Sequence, residues 1–122
     1  MRVGRVAVPI ITPMGTIESQ ASRLLLHRRE VVMVYCALLK IVDPELAKRV
    51  RPDHLAYVAE QYRRGRVMLA GPFADASGGL VVYQNLSADD AAAIAREDPA
   101  VRSGARALTL YAWDLLDLAT PD

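Results

Sequence analysis

Two side chains in this sequence combine proton chemistry with an unusual backbone position: His54, in RPDHLAYV, and Asp98, in AREDPAVRSG. The spacing predicts a helix starting at Arg51 with Pro52 at its first position, where the missing N–H is no loss and φ is preset. His54 then falls in the first helical turn, beside an apolar stripe rather than on it. The positive end of the helix dipole favours a neutral imidazole there, and Asp53 opposes this. Neutral imidazole near pH 7 accepts a proton, as a general base must. The competing reading is a histidine that caps or hydrogen-bonds its own helix start. Asp98 precedes Pro99 at the expected end of a second helix, where the dipole disfavours a carboxylate. Helix stability does not account for it, although an Asx turn opening the next segment would. If the two side chains meet, the carboxylate orients the imidazole and stabilises its protonated form. Spacing leaves their meeting open.

Other chemistry finds little support. No Ser-His-Asp set has a recognisable local motif, and there is no Gly-rich phosphate loop or histidine cluster for a metal. Cys36 is the single cysteine, so neither an internal disulfide nor a cysteine-built zinc site is available. In its apolar run it reads as a small buried hydrophobe. A net charge of +1 without a long basic run argues against nucleic acid as a partner. Ser77-Gly78-Gly79 reads as an ordinary turn, and Tyr83, Tyr111 and Trp113 as core or interface side chains. Asp114 and Asp117 read as solvated, and His27 receives no role.

The elements that must position His54 and Asp98 follow from apolar periodicity. Met33–Val42 is a strand with apolar residues on both alternating faces, which places it centrally and covered on both sides. Asp43-Pro44 opens a loop, and Glu45–Val50 starts a helical turn ahead of the helix from Arg51. In that helix Leu55, Val58, Ala59 and Tyr62 recur at i, i+3, i+4 and i+7 and form the expected buried face, with Gln61, Arg63 and Arg64 in water. Gly65 ends it, Arg66–Ala70 is a strand, and Gly71-Pro72 stops that strand. Phe73–Gly79 is a loop, and Leu80–Tyr83 returns as the other arm of an antiparallel hairpin. Ser87 is the expected N-cap of a helix that ends near Glu97, with Asp89 and Asp90 complementing its dipole. A short piece reaches Gly104, and Ala105–Leu116 is the last strand. Its residues Leu108, Leu110, Ala112 and Asp114 face one way, and Ala107, Thr109, Tyr111 and Trp113 the other.

This order, β-α-β-β-α-β, predicts an α+β, ferredoxin-like fold: a four-stranded antiparallel sheet with both helices on one face. Packing of two copies sheet to sheet would cover the other face and enclose a shared cavity, so the expected assembly is a homodimer. At 52% apolar and 24% charged residues the composition is globular, and 122 residues suit one domain. The longest uninterrupted apolar run, Val31–Leu39, falls far short of the ~20 residues of a membrane span, and nothing argues for secretion. A cytoplasmic location is expected. Residues 1–32 look like different material: five Arg, two Glu and no Lys, against ten basic and twelve acidic residues in 33–122. Pro9 and Pro13 interrupt the apolar stretch there, which makes a poor signal-peptide core. The expectation is an N-terminal extension over 1–32, poorly ordered or translated from an early start, ahead of a domain over 33–118. An arm packing on a partner subunit is the alternative.

The strand MVYCALL, the helix start RPDHLAYV, the segment GRVMLAGPF and the helix end AREDPAVRSG together resemble the YCII-related (YciI-like) domain family. The resemblance spans about 84 residues, Met33 to about Leu116. It implies a ferredoxin-like fold, a dimer related to the dimeric α/β barrels, and a His-Asp pair in a dimer-associated pocket. Residue by residue, that pair carries onto His54 and Asp98 as catalytic groups, and Gly71, Pro72 and Phe73 match the nearby substrate-binding turn. Some relatives resemble dehydrochlorinases or muconolactone-isomerase-like enzymes, acting on small ring compounds with no metal or organic cofactor. The implied function is therefore proton transfer in an elimination or isomerisation of a small cyclic or unsaturated acid. The alternative is a non-catalytic dimeric module that binds a small molecule or serves as an accessory subunit.

Overall fold

The structure, a computed structural model, describes residues 32–119, so the expectations placed on residues 1–31 lie outside it. Its elements run β1 (Val32–Ile41), α1 (Pro44–Arg63), β2 (Val67–Pro72), β3 (Gly78–Tyr83), α2 (Ala88–Glu97), α3 (Pro99–Arg102) and β4 (Arg106–Leu115). The four strands form one antiparallel sheet in the order β2-β3-β1-β4. This is the split β-α-β-β-α-β plan of the ferredoxin-like α+β fold, with the short α3 added after α2.

β1 is central, as its two apolar faces require. One face carries Ala37 and Leu39, which pack with Val67, Val81, Tyr83 and the Ala95 of α2. Val58 of α1, Ile94 of α2 and Val101 of α3 close over this layer, and Leu108 and Leu110 of β4 complete it. The other face holds Val34, Cys36 and Val82, flanked by Leu80 and Leu115, and all five are strand residues. Register places Tyr111 opposite Cys36 and Trp113 opposite Val34, so both aromatic rings belong to this helix-free face.

The first helix starts earlier than its periodicity suggests. Asp43 is the N-cap, with Oδ1 accepting the Leu46 N–H at 3.1 Å, and Pro44 takes the first position in place of Pro52. Asp-Pro-Glu supplies a cap, a preset φ and a favourable charge for the dipole, a stronger start than Arg-Pro-Asp. Pro52 therefore lies inside α1. It deprives the Lys48 carbonyl of its N–H partner, but Lys48 and Pro52 are both exposed, so the loss falls on the wet side of the helix.

The buried face of α1 also differs from expectation. Ala47, His54 and Gln61, seven residues apart, are the buried positions, while Leu55, Ala59 and Tyr62 are exposed and Val58 is half-buried. Polar residues occupy the inner stripe because each has a partner there. Gln61 Oε1 accepts from Arg66 Nη1 at 3.2 Å, and His54 bonds Asp98.

Gly71 and Pro72 do not stop β2. They continue it, opposite Leu80 and Gly79, and Pro72 is tolerated because β2 is an edge strand. Nor are Gly78 and Gly79 turn residues. A Cβ on Gly78 would collide with the Leu39 carbonyl oxygen, and one on Gly79 would sit 2.7 Å from the Gly71 oxygen. Close backbone approach within the sheet is what demands glycine here. The second helix follows expectation, with Ser87 Oγ accepting the Asp90 N–H at 3.1 Å and the helix ending at Glu97.

Candidate active site

His54 projects from the middle of α1, not from its first turn, so the local dipole field expected of a helix start does not act on it. Its burial comes from the rotated inner stripe, which leaves the residue 7% exposed. Asp98 closes α2 and opens α3. Pro99 drives it out of helical geometry, to φ −57° and ψ 127°, and is itself preset for the first position of α3. Asp98 itself is 0% exposed.

The two side chains, 44 residues apart in sequence, meet. His54 Nδ1 lies 2.8 Å from Asp98 Oδ1 and 2.9 Å from Oδ2. A carboxylate only accepts, so Nδ1 carries the hydrogen and donates it. In the neutral ring the lone pair then belongs to Nε2, for which no partner exists among the described residues. Neither reading of Asp98 excludes the other: Oδ1 also accepts the Ala100 N–H at 2.9 Å, the Asx turn that opens α3. The local-cap reading of His54 does not hold, because its partner belongs to a different helix.

Two polar links pin α1 to the α2–α3 corner. Besides the His54–Asp98 bond, Tyr57 OH, one turn further along α1, donates to the Ile94 carbonyl of α2 at 2.7 Å. Burial pushes the Tyr57 phenol up, and the negative charges of Asp98 and Glu97 add to this against the opposite pull of Arg66 and Arg64. Burial likewise pushes Tyr83 far up, reinforced by Asp98 and Tyr57. Arg106 moves down, first because it is buried and then because Arg51 carries the same charge, while Asp98 acts in the opposite sense. Tyr57, Tyr83 and Arg106 thus all feel the Asp98 charge.

None of those three was singled out for chemistry by the sequence. Tyr83 read as core, and at 1% exposure it is. Arg106 has no local motif; alternation puts it on the Leu108–Leu110 side of β4, and the register of the sheet makes that side the inner one. Gly71, Pro72 and Phe73 form no hydrogen bond with the dyad among the described residues; Phe73 N–H instead donates to the Gly78 carbonyl at 2.8 Å. Among the described residues no group of three or more His, Cys, Asp or Glu could hold a metal ion. No helix there is long and apolar enough to cross a membrane.

Comparisons with known proteins agree with the fold. A family model described as the YCII-related domain matches residues 33–114. The Bacillus subtilis protein YjpA, itself uncharacterised, is 37% identical over 62 residues, covering 51% of this chain and 73% of YjpA. Among solved structures, a 5-chloro-2-hydroxyhydroquinone dehydrochlorinase (TftG) from Burkholderia phenoliruptrix, in complex with 2,5-dihydroxybenzoquinone, superposes with a TM-score of 0.57. That match covers 66% of this chain and 93% of the other at 17% identity, a likeness of fold.

Proposed function

The chain belongs to the YCII-related domain family, and on that premise we propose that it is an acid–base catalyst in which His54 moves a proton and Asp98 holds the imidazole in place. The observation that carries this reading is the buried contact of Nδ1 with both Asp98 oxygens, which leaves Nε2 as the unpartnered ring nitrogen. The reaction is an elimination or isomerisation of a small cyclic or unsaturated acid. In its plainest form Nε2 takes a proton from a carbon next to a carbonyl, and the C–H electron pair becomes part of an enolate. The enolate then follows one of two courses. It expels a leaving group from the neighbouring carbon, which departs with its bonding pair, and the imidazolium returns its proton to water. Otherwise it takes the proton back at a different carbon. His54 ends neutral either way.

The likeness to a protein named a dehydrochlorinase supports screening eliminations first. Within this reading Gly71, Pro72 and Phe73 are the substrate-binding segment, and Phe73, partly exposed just after β2, is its available ring. The assembly is a cytoplasmic homodimer joined through the helix-free face of the sheet. Support comes from Tyr111 and Trp113, 55% and 51% exposed on that face in the single chain.

A second reading, a non-catalytic dimeric binding module, draws on the bond from Ala100 N–H to Asp98, which explains the buried carboxylate without chemistry. Deuterium uptake separates the two. Small cyclic and unsaturated acids bearing an activated C–H are incubated with the protein in D2O and followed by proton NMR. The catalytic reading expects exchange that falls by about 10²–10⁴ in His54→Gln, the usual worth of a positioned general base. Equal rates with the native and His54→Gln proteins across the panel would falsify it.

A further inference from the structure

We propose that Arg106 is the anion anchor of the candidate site, taking the carboxylate of a small organic acid on its guanidinium fork. This deepens the proposed function and rests on the reading of His54 and Asp98 as the place where such an acid is handled. Arg106 is the first residue of β4, opposite Ile41, on the same side as Leu108 and Leu110. It therefore enters the layer between sheet and helices, where α3 packs against both α1 and β4. Only 8% of it is exposed.

A guanidinium carries five N–H donors and keeps its charge, so burying it is costly unless an anion or several acceptors meet it. Among the described residues nothing accepts a hydrogen bond from the Arg106 side chain and nothing forms an ion pair with it. The carboxylate whose charge reaches it, Asp98, is already committed to His54 Nδ1 and the Ala100 N–H. Arg51, exposed on α1, adds positive charge from the solvent side. The Tyr83 hydroxyl, also deeply buried and near enough to sense Asp98, is likewise without a hydrogen-bond partner among the described residues. One buried guanidinium, one committed carboxylate and one idle hydroxyl leave this region short of an acceptor that carries negative charge. A carboxylate matches the fork with two parallel hydrogen bonds, which a point-charge ammonium does not reproduce.

The test uses the full chain and two probes of one shape, benzoate and benzamide, with binding read by calorimetry and melting temperature. Benzoate is expected to bind saturably and benzamide at least about tenfold more weakly. Arg106→Met should lose that tenfold for benzoate, leave benzamide unchanged, and melt no lower than the native protein, because it removes an uncompensated buried charge. Arg106→Lys should fall between, keeping the charge but not the fork, and it carries the test if the Met variant does not fold. Absence of saturable benzoate binding, equal binding of benzamide, or unchanged benzoate affinity in both variants overturns the anchor. So does binding of chloride or inorganic phosphate that benzoate does not displace. Loss of binding in the Arg106 variants alongside unaltered deuterium uptake in His54→Gln upholds the anchor and overturns proton transfer. The reverse pattern overturns the anchor alone.

Discussion

Replacing Asp98 by Asn separates what this carboxylate does for the fold from what it does for the proton. The amide keeps the shape, and its oxygen still accepts the Ala100 N–H that lies 2.9 Å from Oδ1 in the native chain. Its NH2 group, however, puts a donor where Oδ2 lay 2.9 Å from Nδ1, which favours a lone pair on Nδ1 and the imidazole hydrogen on Nε2 over the remaining contact of Nδ1 with the amide oxygen. The atom meant to receive the substrate proton then already carries one. Exchange should fall by about 10²–10⁴, as when a general base is removed outright. The stability cost is smaller: one charge-assisted bond becomes a neutral one, about 1–2 kcal/mol, or on the order of 5–10 °C in melting temperature. Asp98→Ala differs, since the Nδ1–H and the Ala100 N–H both lose their partner where the Asp98 side chain was fully buried. At about 1–3 kcal/mol for each orphaned donor it should cost roughly 3–5 kcal/mol. Long-range proton–nitrogen NMR of the imidazole reads the tautomer directly, alongside exchange rates and thermal melts. The reasoning fails if native His54 carries its hydrogen on Nε2, or if Asp98→Asn exchanges within about threefold of the native rate.

Three further outcomes follow from the same geometry. Tyr83 and Tyr57 have folded-state phenols raised above their unfolded values, so their contribution to stability is intact below pH ~10 and is lost as pH climbs toward the raised values. Urea unfolding should therefore weaken above pH 10 by up to about 1.4 kcal/mol per pH unit for Tyr83; ultraviolet titration of all five tyrosines near pH 10 in the folded protein would contradict this. Trp113, the single tryptophan, reports the helix-free face: light scattering should give a dimer for the native protein and a monomer for Trp113→Glu, and native tryptophan emission should shift red as dilution separates the dimer. A native monomer at high concentration removes the sheet-face dimer. Gly78→Ala forces a methyl against the Leu39 carbonyl and should cost about 1–3 kcal/mol in urea unfolding, whereas an unchanged midpoint speaks against this register of β1 and β3.

Strand order was readable because its signals are local and redundant. β1 is apolar on both faces, Ser87 caps α2, and a short loop joins β2 to β3, which together leave few topologies. Helix phase was less readable. Leu55, Val58, Ala59 and Tyr62 satisfy an apolar stripe on paper, yet the stripe that turns inward is Ala47, His54 and Gln61. Periodicity weighs polar residues against burial, and that weighting fails wherever a polar side chain has a partner waiting in the interior. Pro52 compounded the error, because a proline that begins a helix and one tolerated on a helix's wet side look alike in sequence.

The site shows the same division more sharply. Asp98 stood out because an aspartate before proline at a helix end contradicts the dipole, and such contradictions concentrate where a residue serves two structures at once. Here it serves α3 through the Ala100 N–H and α1 through His54, two demands that a single-element reading treats as alternatives. Arg106 carried a comparable contradiction, a charge on the inward side of a strand, but one visible only after strand parity and sheet order are combined. Stability alone would favour an apolar residue there, since removing a buried, unpaired cation is neutral or stabilising. A cation kept at that position is explained by what it binds, and this is why the Arg106 variants, rather than the His54 ones, decide whether the site is built for an acid.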